Sequence, residues 1–179
     1  MNVLKIILLP FVPAYNFVVY LRNLFFDKRI FKSSKVNAKV ISVGNITVGG
    51  SGKTPAVIYL TKLLKAEGKN VGVLSRGYGR KSSGYLLVSD GKNILTEVNK
   101  CGDEIYQTAI ECSVPAAVSE NRVKGAQRFI KDTGVENIIL DDAFQHRWID
   151  RDINLLMCEQ RFLIEPEFFR RQLLPAGSM

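Results

Sequence analysis

The chain has 179 residues, enough for one domain of ordinary size or slightly more. Apolar residues make up 46% and charged residues 23%, a balance that supports a buried core and argues against long disorder. The net charge is +8, and three cysteines without a C-x-x-C spacing exclude a disulfide framework and a zinc ribbon. They read as reduced, buried thiols of a cytoplasmic protein.

The charge is concentrated at the start. Residues 1–38 carry Lys5, Arg22, Lys28, Arg29, Lys32 and Lys35 against Asp27 alone. The same segment holds the most apolar stretch, from Ile6 to Tyr20, interrupted by Pro10, Pro13 and Asn16. A spanning helix needs roughly 20 apolar residues, and this run is short for one. No small-residue cleavage site follows it, which disfavours a secretory signal. The best fit is an apolar, Tyr/Phe-rich helical segment lying in a membrane interface, its basic collar facing anionic headgroups. The plainer alternative is a helical hairpin packed on the rest of the protein. No aromatic-basic motif of a nucleic-acid module occurs, so nucleic acid is not an expected partner.

From Val40 the pattern becomes α/β. Lys39–Ile46 is a β-rich run, and Lys53–Lys65 has helical spacing that stops at Gly68. Val71–Ser75 reads as a strand, and Tyr85–Ser89 as another, a possible hairpin partner turned by Asp90 and Gly91. Asp103–Cys112 suits a short helix, Ala116–Ser119 a short buried strand, and Asn121–Lys131 a helix ending at Gly134. Asn137–Asp141 and Ile153–Met157 have the continuous apolar character of strands covered on both faces. This alternation predicts a mostly parallel sheet with helices on both faces, preceded by the membrane-associating segment of residues 1–38, and it is the loop motif at residues 47–54 that makes the expected class P-loop NTPase-like. Ligands of such sheets sit at the carboxyl ends of the strands.

The strongest motif lies at one such end. Thr47-Val48-Gly49-Gly50-Ser51-Gly52-Lys53-Thr54 follows a strand and opens a helix. It matches the phosphate loop G-x-x-x-x-G-K-[ST] except that Thr47 occupies the first glycine slot. Small residues let successive N–H groups turn inward on a triphosphate above a helix N-terminus. Lys53 then reaches the β- and γ-phosphates of ATP and Thr54 ligates Mg²⁺; Pro55 fits the first turn of the helix. A Gly-rich turn at a helix start is the plainer reading.

A second motif supports the first. Ile138–Asp142 is an apolar run ending in two acids, which are costly at a buried strand end unless a cation is near. A Mg²⁺ held between Thr54 and Asp141 or Asp142 supplies one. Neighbours in a strand face opposite ways, so one acid is expected to serve the metal directly and the other water or a partner.

Taken in order, Val43–Pro55, Ser75–Arg80, Gly102–Glu104, Asp141–His146 and Leu173–Gly177 closely resemble the tetraacyldisaccharide 4'-kinase family of lipid A synthesis, which itself carries Thr at the first loop position. The resemblance runs over nearly the whole chain. It implies a membrane-associated P-loop kinase on the cytoplasmic face of the bacterial inner membrane, moving the γ-phosphate of ATP to the 4'-hydroxyl of an acylated disaccharide 1-phosphate lipid. Residue by residue, it implies phosphate-loop roles for Lys53 and Thr54 and metal-side roles for Asp141 and Asp142. It also implies that Asp103 positions or deprotonates the acceptor hydroxyl, with Glu104 beside it. Asp103 is alternatively a helix cap.

Arg76 and Arg80 flank Gly77-Tyr78-Gly79 and are candidates to meet phosphates or substrate; the alternative is a basic surface turn. His146, the only histidine, matches the last motif position, and Gln145 and His146 alternatively order the acids by hydrogen bonds.

Two departures stand out. Ala143 occupies a position where many relatives have Gly. The family continues with a further domain after Leu-Pro-Ala-Gly, so the chain reads as a truncated member: residues 1–38 the membrane-associating segment, residues 39–179 the P-loop kinase domain, and the further C-terminal domain absent. The competing function class is a membrane-associated P-loop ATPase acting as a partitioning or recruitment switch. Such proteins often carry a lysine where this loop has Val48.

Overall fold

A computed structural model describes residues 12–28, 30–45, 52–143, 146–158 and 164. The elements in chain order are α1 (Val12–Asp27), β1 (Lys39–Asn45), α2 (Lys53–Ala66), β2 (Val71–Ser75), β3 (Leu86–Asp90), α3 (Val98–Cys101), α4 (Asp103–Cys112), β4 (Pro115–Val118), α5 (Arg122–Thr133), β5 (Asn137–Asp141) and β6 (Ile153–Met157). The strands form one six-stranded sheet in the order β3-β4-β2-β5-β1-β6. All described pairings are parallel except β3 with β4.

The sheet's two faces are read from single strands. In β2, Val71 and Val73 face a core shared with Val57 and Ile58 of α2 and Ile105, Ala109 and Cys112 of α4. Leu74 faces the opposite way, with Ile138 and Leu140 of β5, onto Ala126 and Phe129 of α5. This period-two split on continuously apolar strands requires helices on both faces, and both are present. Helix α5 is fastened at each end: the Asn121 side chain accepts from the Lys124 N–H at 3.0 Å, and Gly134 closes the helix at φ 70°.

Two expectations need correction. Tyr85–Ser89 is not chiefly a hairpin partner. The chain does turn at Asp90 and Gly91, but only the single bridge Ser89–Ile94 results, and β3 pairs mainly with β4. Nor is β6 covered on both faces among the described residues: it lies at the edge of their sheet beside β1, and Ile153, Leu155 and Leu156 are exposed. An apolar run shows strand character but not its rank in the sheet.

Pro10 and the first part of the Ile6–Tyr20 run lie outside the described residues. Pro13 does not interrupt the helix, because it falls in the first turn, where an N–H has no intrahelical acceptor. Among the described residues, no helix is long and apolar enough to cross a membrane. The C-terminal end of α1 is docked on the loop that follows β5. Phe26 is buried, with its ring edge-on to Trp148 at 4.9 Å and Phe31 at 5.4 Å. The Arg147 guanidinium lies 5.0 Å over the Phe26 ring, pairs with Asp27 at 2.7 Å and donates to the Asn23 carbonyl at 3.3 Å. Phe17, Val18 and Tyr20 of the same helix are exposed.

Candidate active site

The topology brings the motifs together before any side chain is considered. Strands β1 and β5 are neighbours, with Val43 opposite Asp141, so the carboxyl end of β1 and the acid pair lie side by side. Residues 46–51, which include Thr47, Val48, Gly49, Gly50 and Ser51 of the expected phosphate loop, lie outside the described residues. Its last residues are described: Gly52 is the N-cap of α2 in left-handed backbone at φ 75°, and Lys53 and Thr54 open the helix.

Lys53 joins the elements. Its Nζ donates to Asp142 Oδ1 at 2.9 Å and to Asn45 Oδ1 at 3.1 Å, linking the start of α2 to the ends of β1 and β5. Asp142 is half exposed, so this ion pair adds little to stability. Its content is geometric: it sets the cation of the phosphate-loop helix against the acid pair.

The two acids do face different surroundings. Asp141 is buried, and its Oδ2 accepts a 3.4 Å bond from the Ser75 hydroxyl at the end of β2. Burial, reinforced by the negative charges of Glu104 and Asp142, pushes its carboxyl up to about 6, against the pull of Lys53 and Arg122. Asp142 is exposed and holds left-handed backbone at φ 51°, unusual for a residue with a side chain. Asp141, Asp142 and the Thr54 hydroxyl are hard oxygen donors, the set a Mg²⁺ takes. A buried carboxylate destabilised by its neighbours is a group that a cation would relieve.

Glu104 reaches this site from the start of α4, and Asp103 precedes it in the same turn; both are exposed. The residue preceding the helix is Gly102, so Asp103 is the first helical residue and not its cap. The turn is locked onto the Arg76–Arg80 loop by two glycines. A Cβ on Gly102 (φ 94°) would stand 2.8 Å from the Tyr78 carbonyl oxygen, and one on Gly77 (φ 72°) 2.7 Å from the Cys101 carbonyl oxygen. The Gly-Tyr-Gly and Gly-Asp-Glu motifs are thus one packed unit at the carboxyl side of β2.

Of the two arginines in that loop, Arg76 is exposed, and its charge is felt at Arg122 and His146. Arg80 is placed differently. Its side chain is only 3% exposed, donates to the Gly84 carbonyl at 2.6 Å and to the Ser82 hydroxyl at 3.2 Å, and forms an ion pair with Glu120. In this arrangement its guanidinium braces the loop.

His146 is half-buried; Gln145 lies outside the described residues. Burial and the Arg122 charge hold its imidazole below the ordinary histidine range. Its tie to the acids is by backbone: the His146 N–H donates to the Ala143 carbonyl at 3.0 Å. Ala143 itself is buried in the core on the α5 side of the sheet, and its N–H reaches the Val43 carbonyl at 3.4 Å.

The sequence reading missed Arg122. It opens α5, is 2% exposed, and donates to the Ser119 carbonyl and, at 3.3 Å, to the Asp141 carbonyl. Burial lowers its ionisation to about 10, while Asp141 and Asp142 support its charge. One signal was available: a basic residue in the first turn of a helix opposes the macrodipole, and its presence needs a reason. Asn45 and Ser75, at the ends of neighbouring strands, carried no such signal.

A family model described as tetraacyldisaccharide-1-P 4'-kinase (LpxK) matches residues 4–179. The chain is 45% identical over 168 residues to a tetraacyldisaccharide 4'-kinase of Halothermothrix orenii, covering 92% of this chain and 42% of that protein. It is 43% identical over 173 residues to one from Aquifex aeolicus, covering 96% and 52%. A crystal structure of LpxK from Aquifex aeolicus, an "apo" form in complex with ATP, matches with a TM-score of 0.85 over 98% of this chain and 54% of that one. The chain therefore spans about half the length of the curated relatives it matches.

Proposed function

We propose, from the premise that this chain belongs to the tetraacyldisaccharide-1-phosphate 4'-kinase family, that it binds ATP and carries the machinery that moves the γ-phosphate to the 4'-hydroxyl of an acylated disaccharide 1-phosphate lipid. The observation that carries this reading is the convergence of Lys53, Asn45 and Asp142 at 2.9–3.1 Å where α2 starts beside the ends of β1 and β5. That is the place where an α/β sheet presents a helix N-terminus to phosphate.

In this reading Lys53 neutralises charge on the β- and γ-phosphates. Thr54, Asp141 and Asp142 would hold Mg²⁺, which, when bound, screens the charge that builds on the transferring group. The acceptor oxygen attacks the γ-phosphorus, the bond to the bridging oxygen of ADP breaks, and Asp103 accepts the hydroxyl proton. A positioned carboxylate suffices, because that proton becomes acidic only as the new bond forms. Arg76, exposed beside the same unit, is the arginine left to meet a phosphate.

Residues 1–38 are the membrane-associating segment and 39–179 the kinase domain. Exposed Phe17, Val18 and Tyr20 on α1, with Arg22 and Lys28 nearby, support an interfacial helix on anionic lipid at the cytoplasmic face. The acyl chains of the acceptor would stay in the bilayer while its sugar rises to the site.

Transfer of label from γ-labelled ATP to the disaccharide lipid in detergent micelles tests the proposal. Label in the lipid, lost in Lys53→Ala, supports it. In Asp103→Asn, kcat should fall much further than the KM for ATP rises. ATP hydrolysis stimulated by vesicles, with no label in the lipid, would favour the recruitment ATPase. Tight, Lys53-dependent ATP binding with neither activity restricts the function of these 179 residues to nucleotide binding. Absence of ATP binding would overturn the reading.

A further inference from the structure

The acid pair sits on a turn that its own sequence does not favour. Asp142 occupies a sparsely populated backbone region, at φ 51°. Such a conformation persists only when its surroundings impose it, and here the peptide carbonyls on both sides are held by guanidinium groups. The Asp141 carbonyl accepts from Arg122 Nη2 at 3.3 Å, and the Ala143 carbonyl accepts from Arg151 Nη1 at 3.2 Å beside the His146 N–H at 3.0 Å. The two arginines come from different elements, Arg122 from α5 and Arg151 from the segment just before β6. Arg151 is half-buried; burial and the nearby Arg147 charge disfavour its ionised form, while Asp150 supports it.

We propose that Arg151 is a positioning residue for the acid pair. Its bond to the Ala143 carbonyl keeps the turn closed, so that the Asp142 carboxylate stays aimed at Lys53 and the start of α2. The inference rests on the reading of the acid pair as the Mg²⁺-nucleotide site. Arg151 acts through the backbone on the turn that carries the acids, and such supporting contacts typically govern metal affinity by ten- to a hundredfold.

The test is titration of the full chain with a fluorescent ATP analogue, in Mg²⁺ and in EDTA, with thermal melts run in parallel. Arg151→Ala should bind the analogue in EDTA as the wild type does, since Lys53 keeps its bond to Asn45 when Asp142 moves. It should lose about tenfold of the affinity gained on adding Mg²⁺. Arg151→Lys should recover most of that gain, because an ammonium also donates to one carbonyl. Arg147→Ala, which loosens the same loop but bonds to α1 and not to the turn, should keep the full Mg²⁺ effect. If Arg151→Ala melts below the assay temperature, Arg151→Gln takes its place with the same expected loss. A wild-type Mg²⁺ effect retained in Arg151→Ala or Arg151→Gln, or lost equally in Arg147→Ala, overturns the role of Arg151 alone. A wild type whose affinity ignores Mg²⁺ overturns the metal reading of the site, and this inference with it.

Discussion

Replacing Asp141 with Asn should stabilise the metal-free protein at alkaline pH while damaging nucleotide binding in Mg²⁺. Asp141 is buried and its carboxyl titrates near 6, against 3.8 for the free side chain. A carboxyl held above its unfolded value binds its proton more tightly in the native state. The native chain therefore takes up protons between these two values, and stability falls as pH rises through that window. Two units correspond to about 3 kcal/mol at full ionisation. The cost is fully present at pH 8, shrinks to about 1 kcal/mol at pH 4.5 and vanishes in stronger acid.

Asparagine keeps an oxygen for the Ser75 hydroxyl and removes the charge. Urea unfolding in EDTA is the assay. With a slope of about 2 kcal/mol per molar, the pH 8 midpoint of Asp141→Asn should lie about 1.5 M above wild type, the gap narrowing to about 0.5 M at pH 4.5. Equal gaps at both pH values, or none at pH 8, would refute the account of Asp141 as a buried, destabilised carboxylate.

Other substitutions probe the supports of the site. Gly102→Ala forces a Cβ against the Tyr78 carbonyl at unfavourable φ and should cost about 2 kcal/mol or more. Gly79→Ala, at φ 72° with open space around it, carries only the backbone cost of about 1 kcal/mol, and chemical denaturation separates the two. Trp148→Ala removes the ring that packs edge-on against Phe26 and should cost about 1–2 kcal/mol. It should also speed tryptic cleavage at Lys28, read by mass spectrometry as α1 leaves the loop after β5. Unchanged cleavage would mean the helix is held elsewhere.

Much of this protein was legible from residue order alone, because its signals are local. Helix α4 starts where Gly102-Asp103-Glu104 predicts, since a glycine turn and acidic first-turn residues are favourable at a helix N-terminus whatever packs around them. The phosphate loop and the paired acids could be set at one site in advance because each motif carries its own chemistry, although the direct Lys53–Asp142 pair could not. What residue order could not say was which positions end up dry and which strands become neighbours. Arg80 and Arg76 look equivalent in sequence, yet the fold buries one against Glu120 and leaves the other in solvent. Arg122 and Arg151 lie 19 and 10 residues from Asp141, but the sheet order and the chain path bring both onto the carbonyls of a single turn. β6 has a core-like sequence and an edge-strand position. Burial, and with it the raised carboxyl of Asp141, is a property of neighbours remote in the chain. Only the tertiary arrangement decides it, because desolvation depends on what surrounds a group in space.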